Sequence, residues 1–196
     1  MYAEISSNTV VNYPAFPSLE HPNVGFPENW LGGTVNGDEY VYVQPTEKPI
    51  ANIGWQYTEG LPILNGNGWV QVWTSSLLPR ELIKRAVTSK RYEVEVGGVK
   101  VSNVIYSTDR ESQTKYVAVA VDISKSNVET WSITWKTLEN NFVTLNANQA
   151  IQIVDSVRDH VQACFNKEAE YYNLIDNSNT AVLKTIDFSA GWSSNI

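Results

Sequence analysis

Histidine, cysteine and glutamate follow one another at helical spacing late in the chain. His160, Cys164 and Glu168 are four residues apart, so on a helix they would share a face. Such a row could begin a metal site, and its Cys–His pair could act as nucleophile and base. The chain has only one cysteine, however, and its second histidine, His21, lies far away in the sequence. We therefore expect Cys164 in the core with His160 at its edge, and no metal site.

Carboxylates are the second group that could do chemistry, since a spaced pair could hydrolyse glycosides. Asp38 and Glu39 are adjacent and would face opposite ways on a strand. Neither a calcium-loop pattern nor a phosphate-binding Gly-Lys-Ser/Thr occurs, so Gly32-Gly33-Thr34 is an ordinary loop. We expect a solvated acidic surface, no catalytic residues, no cofactor and no enzymatic activity. The acids of the first half include Glu20, Glu28, Asp38, Glu39, Glu47 and Glu59.

Aromatic side chains in the first 75 residues indicate binding rather than catalysis. Trp and Tyr are frequent at protein interfaces and in sugar-stacking sites, because they offer a large contact area at low entropy cost. We predict Trp55, Trp69 and Trp73 as partner-binding residues. The alternative is that the aromatic residues build the core of a unit with few aliphatic side chains.

Composition limits the class of protein. The 196 residues are 42% hydrophobic and 18% charged, with a net charge of −7, which is typical of a globular chain. The acidic balance excludes nucleic acid as a predicted partner, since phosphate binding requires clustered Lys and Arg. No apolar run approaches the ~20 residues of a membrane span, and the N-terminus lacks a signal-peptide pattern. We expect a protein of the reducing cytoplasm that does not bind a membrane.

The two ends of the chain differ in composition. Residues 1–75 hold seven of the eight prolines and four of the seven tryptophans, and Lys48 is their only lysine or arginine. This shift predicts an acidic, Trp/Pro-rich β unit at 1–76 and an α+β domain at 77–196, with the boundary within 74–82. Alternating segments predict short strands in the first unit, including 69–73. Because proline removes a ladder donor, we expect a small antiparallel sheet without long central strands.

The second unit alternates helical and hairpin patterns. Pro79 opens a helix that ends at Gly97-Gly98, and two short strands follow. Thr108–Glu111 forms a capping-box pattern before a helix that would bury Tyr116, Val117, Ala120 and Val121. A further hairpin spans 131–145. The predicted fold class is α+β: a small proline- and aromatic-rich β unit, then helix, hairpin, helix, hairpin and long helix.

The last helix is predicted at about 147–176. Asn146 and Gln149 fit a capping box, and an apolar seam broken only by Glu168 runs along the helix. About 30 residues at ~1.5 Å per residue give a helix of ~45 Å, long for a compact chain of this size. Either the helix extends past its domain and offers a homo-oligomer contact, or it breaks near Asp176-Asn177 and is covered within the monomer.

Several short sequence motifs in the C-terminal half occur in a characteristic order. They are Arg91–Glu95, Gly97–Val99, Thr108–Gln113, Trp135-Lys136, Phe142–Ala147, His160–Phe165 with Glu168, Ile186-Asp187 and Ala190–Trp192. In this order, residues 80–195 resemble a bacteriophage domain family of unknown function found in tail-fibre genes. Asn12–Pro14 and His21–Pro27 resemble the N-terminal segments of similar phage proteins. The resemblance implies a tail-fibre assembly protein, and it implies no catalytic residues.

Three functions are consistent with these observations. The first is an assembly factor that binds a tail-fibre or baseplate polypeptide in the host cytoplasm and assists its folding, trimerisation or attachment. The second is a structural tail or baseplate subunit that stays in the virion. The third is a carbohydrate-binding tail module. The presence of the protein in purified virions would separate the first from the second.

Overall fold

The structure is a computed structural model that describes residues 1–193 of the chain. Contacts between residues divide the chain into two compact units. The first comprises Met1–Ala51 and Trp55–Leu77, and the second comprises Asn52–Gly54 and the chain from Leu78 onward.

Six strands and one short helix make up the first unit. They are β1 (Tyr2–Ser6), β2 (Thr9–Ala15), α1 (Pro17–Glu20), β3 (Gly32–Val35), β4 (Asp38–Gln44), β5 (Trp55–Asn65) and β6 (Gly68–Leu77). They form one sheet in the order β2-β1-β4-β6-β5, with β3 also paired to β4. All pairs are antiparallel except β4 with β6. β3 requires glycine at Gly32, because a Cβ there would lie 2.3 Å from the Tyr40 carbonyl oxygen.

The sheet nearly closes on itself. The two strands at the ends of the strand order, β2 and β5, come into contact, and the Tyr13 hydroxyl of β2 donates a hydrogen bond to Glu59 of β5. The buried apolar side chains of this unit include Ala3, Ile5, Ala15, Tyr40 and Val43, which lie on β1, β2 and β4.

The predicted fold class, α+β with a small β unit, is wrong. The chain is mixed, with about 37% helix and 31% strand, and it is dominated by the large, nearly closed sheet, while the helices lie at its C-terminal end. The error arose from the prolines, which were expected to prevent long strands. β5 and β6 nevertheless run for 11 and 10 residues.

Prolines fit these strands because each lies at a register shift. On β5 the pairing passes from Gly60 opposite Val72 to Ile63 opposite Val70, so Pro62 lies within a bulge. Pro14 lies within a similar shift on β2. Both strands are also at the ends of the strand order, where the N–H groups that face away from the one paired neighbour can be lost without losing a ladder bond.

Four helices and two hairpins make up the described part of the second unit. Its elements are α2 (Arg80–Glu95), β7 (Val99–Val101), β8 (Val104–Tyr106), α3 (Arg110–Lys125), β9 (Ser132–Lys136), β10 (Phe142–Asn146), α4 (Ala147–Asn177) and α5 (Thr180–Leu183). β7 pairs with β8, and β9 pairs with β10. Of the helices that the structure describes, none is both long and apolar enough to cross a lipid bilayer.

The long helix α4 runs unbroken from Ala147 to Asn177. The predicted capping box is confirmed, since Asn146 and Gln149 each bond the other's backbone N–H at 2.9 and 3.0 Å. The first half of α4 packs on α3 and the hairpins, and the helix also packs on α2. Its buried positions extend from Ala147 to Ile175. The apolar seam is therefore covered within the second unit along its length.

Helix α3 differs from its sequence pattern in two ways. Asp109, not Thr108, caps it and accepts a hydrogen bond from the Ser112 N–H at 2.7 Å. The helix buries Tyr116, as predicted, together with Val119 and Ile123. Val117 and Val121, which were also predicted to be buried, are exposed. The predicted row and the observed row of buried residues both fit a helical period of 3.6 residues. Packing against neighbouring elements therefore decided which of the two rows is buried.

Candidate partner-binding site

The three tryptophans predicted from the sequence share one face of the β5–β6 hairpin. Residues directly opposite each other on antiparallel strands lie on the same face. The register places Trp55 opposite Leu77, Glu59 opposite Trp73 and Leu64 opposite Trp69. We call this surface, defined by Trp55, Trp69 and Trp73, the tryptophan face. All three indole side chains are half-buried.

The two β6 tryptophans differ in what holds them. The Trp73 indole N–H donates a hydrogen bond to the Thr46 carbonyl at 3.4 Å, and the Lys48 ammonium lies 5.4 Å from the ring centroid. Trp69 faces Leu64 across the strands, and Leu64 is 54% exposed. The Trp69 end of the face is therefore the more open end, and an exposed apolar neighbour enlarges it.

A polar row lies between the two β6 tryptophans. Gln71 is buried, accepts a hydrogen bond from the Thr46 N–H at 3.0 Å and donates one to Glu59 at 2.7 Å. Glu59 also accepts the Tyr13 hydroxyl. Hydrogen bonds from Tyr13 and Gln71 hold the pKa of the Glu59 carboxyl below its usual value. A carboxylate so stabilised stays ionised and is a weak base, so this row serves to fix the strands that carry Trp69 and Trp73.

A second aromatic surface, which the sequence did not single out as a site, surrounds Trp30. Its ring lies 5.1 Å from Tyr2 and 4.8 Å from Phe26, and the Tyr2 hydroxyl bonds the Trp30 carbonyl at 2.7 Å. The rings border a cavity of about 240 Å³ that Phe16 and Pro17 also line. We call this cavity the aromatic cup. Sequence reasoning missed it because its residues come from four separate segments of the chain.

Five polar residues of the acidic half also meet in the structure. The Tyr40 hydroxyl donates to Glu20 at 2.6 Å and lies 2.9 Å from His21 Nε2, and Asp38 lies 3.5 Å from the same nitrogen. His21 Nδ1 lies 3.3 Å from the Asn36 amide. The Tyr40 hydrogen bond lowers the pKa of Glu20, while burial and Glu20 raise that of Tyr40. These contacts fasten the turn after α1 to β4.

The row of His160, Cys164 and Glu168 does lie on one helix, but Glu168 has different partners from the other two. His160 and Cys164 are buried, and His160 Nε2 lies 3.0 Å from the Val94 carbonyl oxygen and 4.0 Å from the Cys164 sulfur. Burial lowers the pKa of His160 and raises that of Cys164. Within residues 1–193, no three His, Cys, Asp or Glu side chains are grouped to hold a metal ion.

Glu168 belongs to a buried polar cluster instead. Arg91 on α2 lies between two carboxylates, Glu95 of its own helix and Glu168 of α4, the latter at 3.2 Å. Glu168 also accepts the Thr88 hydroxyl at 2.5 Å. Glu168, the single polar residue in the α4 seam, is thus the partner of the buried Arg91, and this ion pair joins α2 to α4. Sequence alone offered no signal for this pairing, since the two residues are 77 positions apart.

Comparisons with known proteins identify the second unit. The chain matches no curated protein and no solved structure. Residues 79–190, more than half of the chain, match the model of a family described as a domain of unknown function, DUF4376. The chain therefore belongs to the DUF4376 family.

Proposed function

We propose that this protein is a bacteriophage tail-fibre assembly factor. It binds a fibre or baseplate polypeptide in the host cytoplasm, assists its folding, trimerisation or attachment, and catalyses no reaction. The tail context comes from the resemblance of residues 80–195 to a domain of tail-fibre genes. The observation that carries the binding role is the tryptophan face, three half-buried indoles on one face of paired strands.

The tryptophan face suits binding because it is stiff before a partner arrives. Trp73 is held by Thr46, and the Gln71–Glu59 hydrogen bond holds the strands between the two β6 tryptophans. A side chain that is ordered in advance loses less entropy on association. Tryptophan is also the residue type most often found among the side chains that dominate binding energy.

The test is co-expression with the fibre polypeptide encoded beside it. We expect soluble trimeric fibre with the intact protein, and less of it with Trp69→Ala or Trp73→Ala. Each substitution should weaken fibre binding by about 2 kcal/mol or more while the protein stays folded. Trp131→Ala is the matched control, because Trp131 is a partly buried indole on the second unit, bonded to Asp122 at 2.7 Å. Equal yields of trimeric fibre without the protein would contradict the proposal.

Two other functions give different results. A structural tail or baseplate subunit would be found at fixed stoichiometry in purified virions, whereas an assembly factor would be absent from them. The aromatic cup favours a carbohydrate-binding tail module as the second candidate, since sugar rings stack on aromatic faces. Quenching of tryptophan fluorescence by host surface polysaccharide, abolished by Phe26→Ala, would support that module.

A further inference from the structure

We infer that the free edge of β9 and the adjacent face of α3 form a binding groove for an acidic, extended polypeptide segment, which adds a strand to the β9–β10 hairpin. The inference rests on the proposed function only for the identity of the partner. The groove lies wholly in the second unit and encloses about 540 Å³. We call it the α3–β9 groove.

The floor of the groove is apolar. Ala118 and Val119 of α3 face Ile133 and Trp135 of β9 across it. The Trp135 ring is fixed by stacking on Tyr116, with ring centroids 4.9 Å apart and planes at 20°. Apolar side chains at every second position of a bound strand would contact this floor.

One wall of the groove offers unpaired backbone groups. The Thr137 N–H donates to the Asn141 carbonyl at 2.8 Å, so residues 133, 135 and 137 are the ones that exchange hydrogen bonds with β10. The N–H and C=O groups of Thr134 and Lys136 therefore point to the opposite edge. Of the strands that the structure describes, only β10 pairs with β9. Free strand edges of this kind are where extended peptides bind by adding a strand.

Charge determines which peptide fits. Two lysines line the groove, Lys115 from α3 and Lys136 from β9, and none of the described residues that line it is acidic. Lys115 pairs with Glu111 at 2.7 Å, but both side chains are more than half exposed, so the pair contributes little. Lys136 has no acidic partner among residues 1–193. A lysine on a strand edge disfavours pairing with a basic strand, so the partner strand should carry carboxylates.

The length of β9 limits the length of the bound segment. Five residues at ~3.4 Å each give a strand of ~17 Å, so the site accommodates about five residues of the partner. A short contact of this kind suits a transient complex, such as an assembly factor that must release its partner.

The groove is tested by fluorescence anisotropy with the full-length protein and a labelled, acetylated seven-residue peptide that alternates valine and glutamate. Two further peptides are measured, one with lysine in place of glutamate and one methylated on every backbone nitrogen. We expect the acidic peptide to bind with a Kd below about 1 mM and the other two to bind at least about tenfold more weakly. No binding of the acidic peptide, or equal binding of the lysine peptide or of the methylated peptide, would overturn the inference.

Variants localise the binding to the groove. Lys136→Glu reverses one wall charge, and Ala118→Trp fills the floor from an exposed helix position, so each should weaken peptide binding by at least about tenfold. Lys100→Glu is the matched control, because Lys100 is an exposed lysine on β7 outside the groove. Urea unfolding checks that each variant is folded. Equal weakening by Lys136→Glu and Lys100→Glu would overturn the assignment.

The peptide assay and the fibre assay fail separately. If the protein binds the acidic peptide but does not raise the yield of trimeric fibre, the groove stands and the assembly role is refuted. If the protein raises the fibre yield but does not bind the acidic peptide, the assembly role stands and the groove is refuted. A dimer that Lys136→Glu dissociates would assign the β9 edge to a second copy of the chain, and it would overturn the acidic partner.

Discussion

Thr108 satisfies two backbone groups at once in the interior of the second unit. Its side chain is fully buried, its hydroxyl donates to the Glu95 carbonyl at 2.5 Å and it accepts the Gly98 N–H at 2.9 Å. The hydroxyl therefore closes the C-terminal end of α2 and the turn that follows it. Gly98 has a φ of +105°, and a Cβ there would lie within 3.2 Å of the Tyr106 carbonyl oxygen, so glycine is needed for this turn.

We expect Thr108→Val to lower the free energy of unfolding by about 1–3 kcal/mol, because it leaves a buried donor and a buried acceptor without a partner. Urea denaturation followed by circular dichroism measures the effect. Thr114→Val is the control, since Thr114 is exposed and its hydroxyl bonds only the Arg110 carbonyl of its own helix. Equal losses for the two variants would refute the role given to Thr108.

Asp109 predicts a pH dependence. The hydrogen bond from the Ser112 N–H, followed by that from Ser107, holds the pKa of Asp109 below its usual value. The unfolded chain, with an aspartate pKa of about 3.9, then binds the proton more readily than the folded chain. The stabilising contribution of Asp109 is therefore fully present above the unfolded pKa and is lost as the pH falls through the folded pKa.

We expect Asp109→Ala to cost about 1 kcal/mol of unfolding free energy at neutral pH, and this difference should shrink in strong acid. Asp109→Asn is the control, because asparagine also caps helices but does not titrate. Unfolding curves at several pH values give the measurement. A difference between wild type and Asp109→Ala that did not change with pH would contradict the prediction.

At the scale of the element, α3 offers two valines that separate the predicted face from the observed face. Val119 is 8% exposed, whereas Val117 is 65% exposed. We expect Val119→Ala to destabilise the protein by about 2 kcal/mol, because two buried carbons are lost and a cavity forms. Val117→Ala should be neutral or slightly stabilising, since alanine has the higher helix propensity. Thermal unfolding of both variants checks this, and the reverse ranking would show that the other face is buried.

The strands of the first unit show why sequence patterns predict where a strand forms better than they predict how long it is. Alternation along 69–73 correctly predicted a strand with Trp69, Gln71 and Trp73 on one face, because alternation is a local property. The prolines led to the wrong expectation of short strands. Whether a proline breaks a strand depends on its place in the sheet, and Pro62 lies at a bulge that only the pairing with β6 reveals.

At the scale of the whole molecule, the division into two units has a measurable consequence. By contacts, the boundary lies between Leu77 and Leu78, with Asn52–Gly54 counted in the second unit. We expect limited proteolysis to release a stable C-terminal fragment that begins within residues 74–82, identified by mass spectrometry. This fragment should unfold at a lower temperature than the same unit in the full chain, since it lacks the Gly54 carbonyl that bonds the Leu78 N–H at 2.9 Å. A chain that stays uncut until it unfolds completely would contradict the prediction.

Local features were determined by the sequence itself. The capping box at Asn146 and Gln149 and the unbroken course of α4 depend on residues a few positions apart, so they could be predicted without a structure. The tertiary structure alone decided the parallel pairing of β4 with β6, the buried face of α3 and the pairing of Arg91 with Glu168. The tryptophan face was accessible to prediction because three aromatic residues were clustered in sequence. The α3–β9 groove was not, because its lysines, floor and free strand edge come from separate segments that only folding brings together.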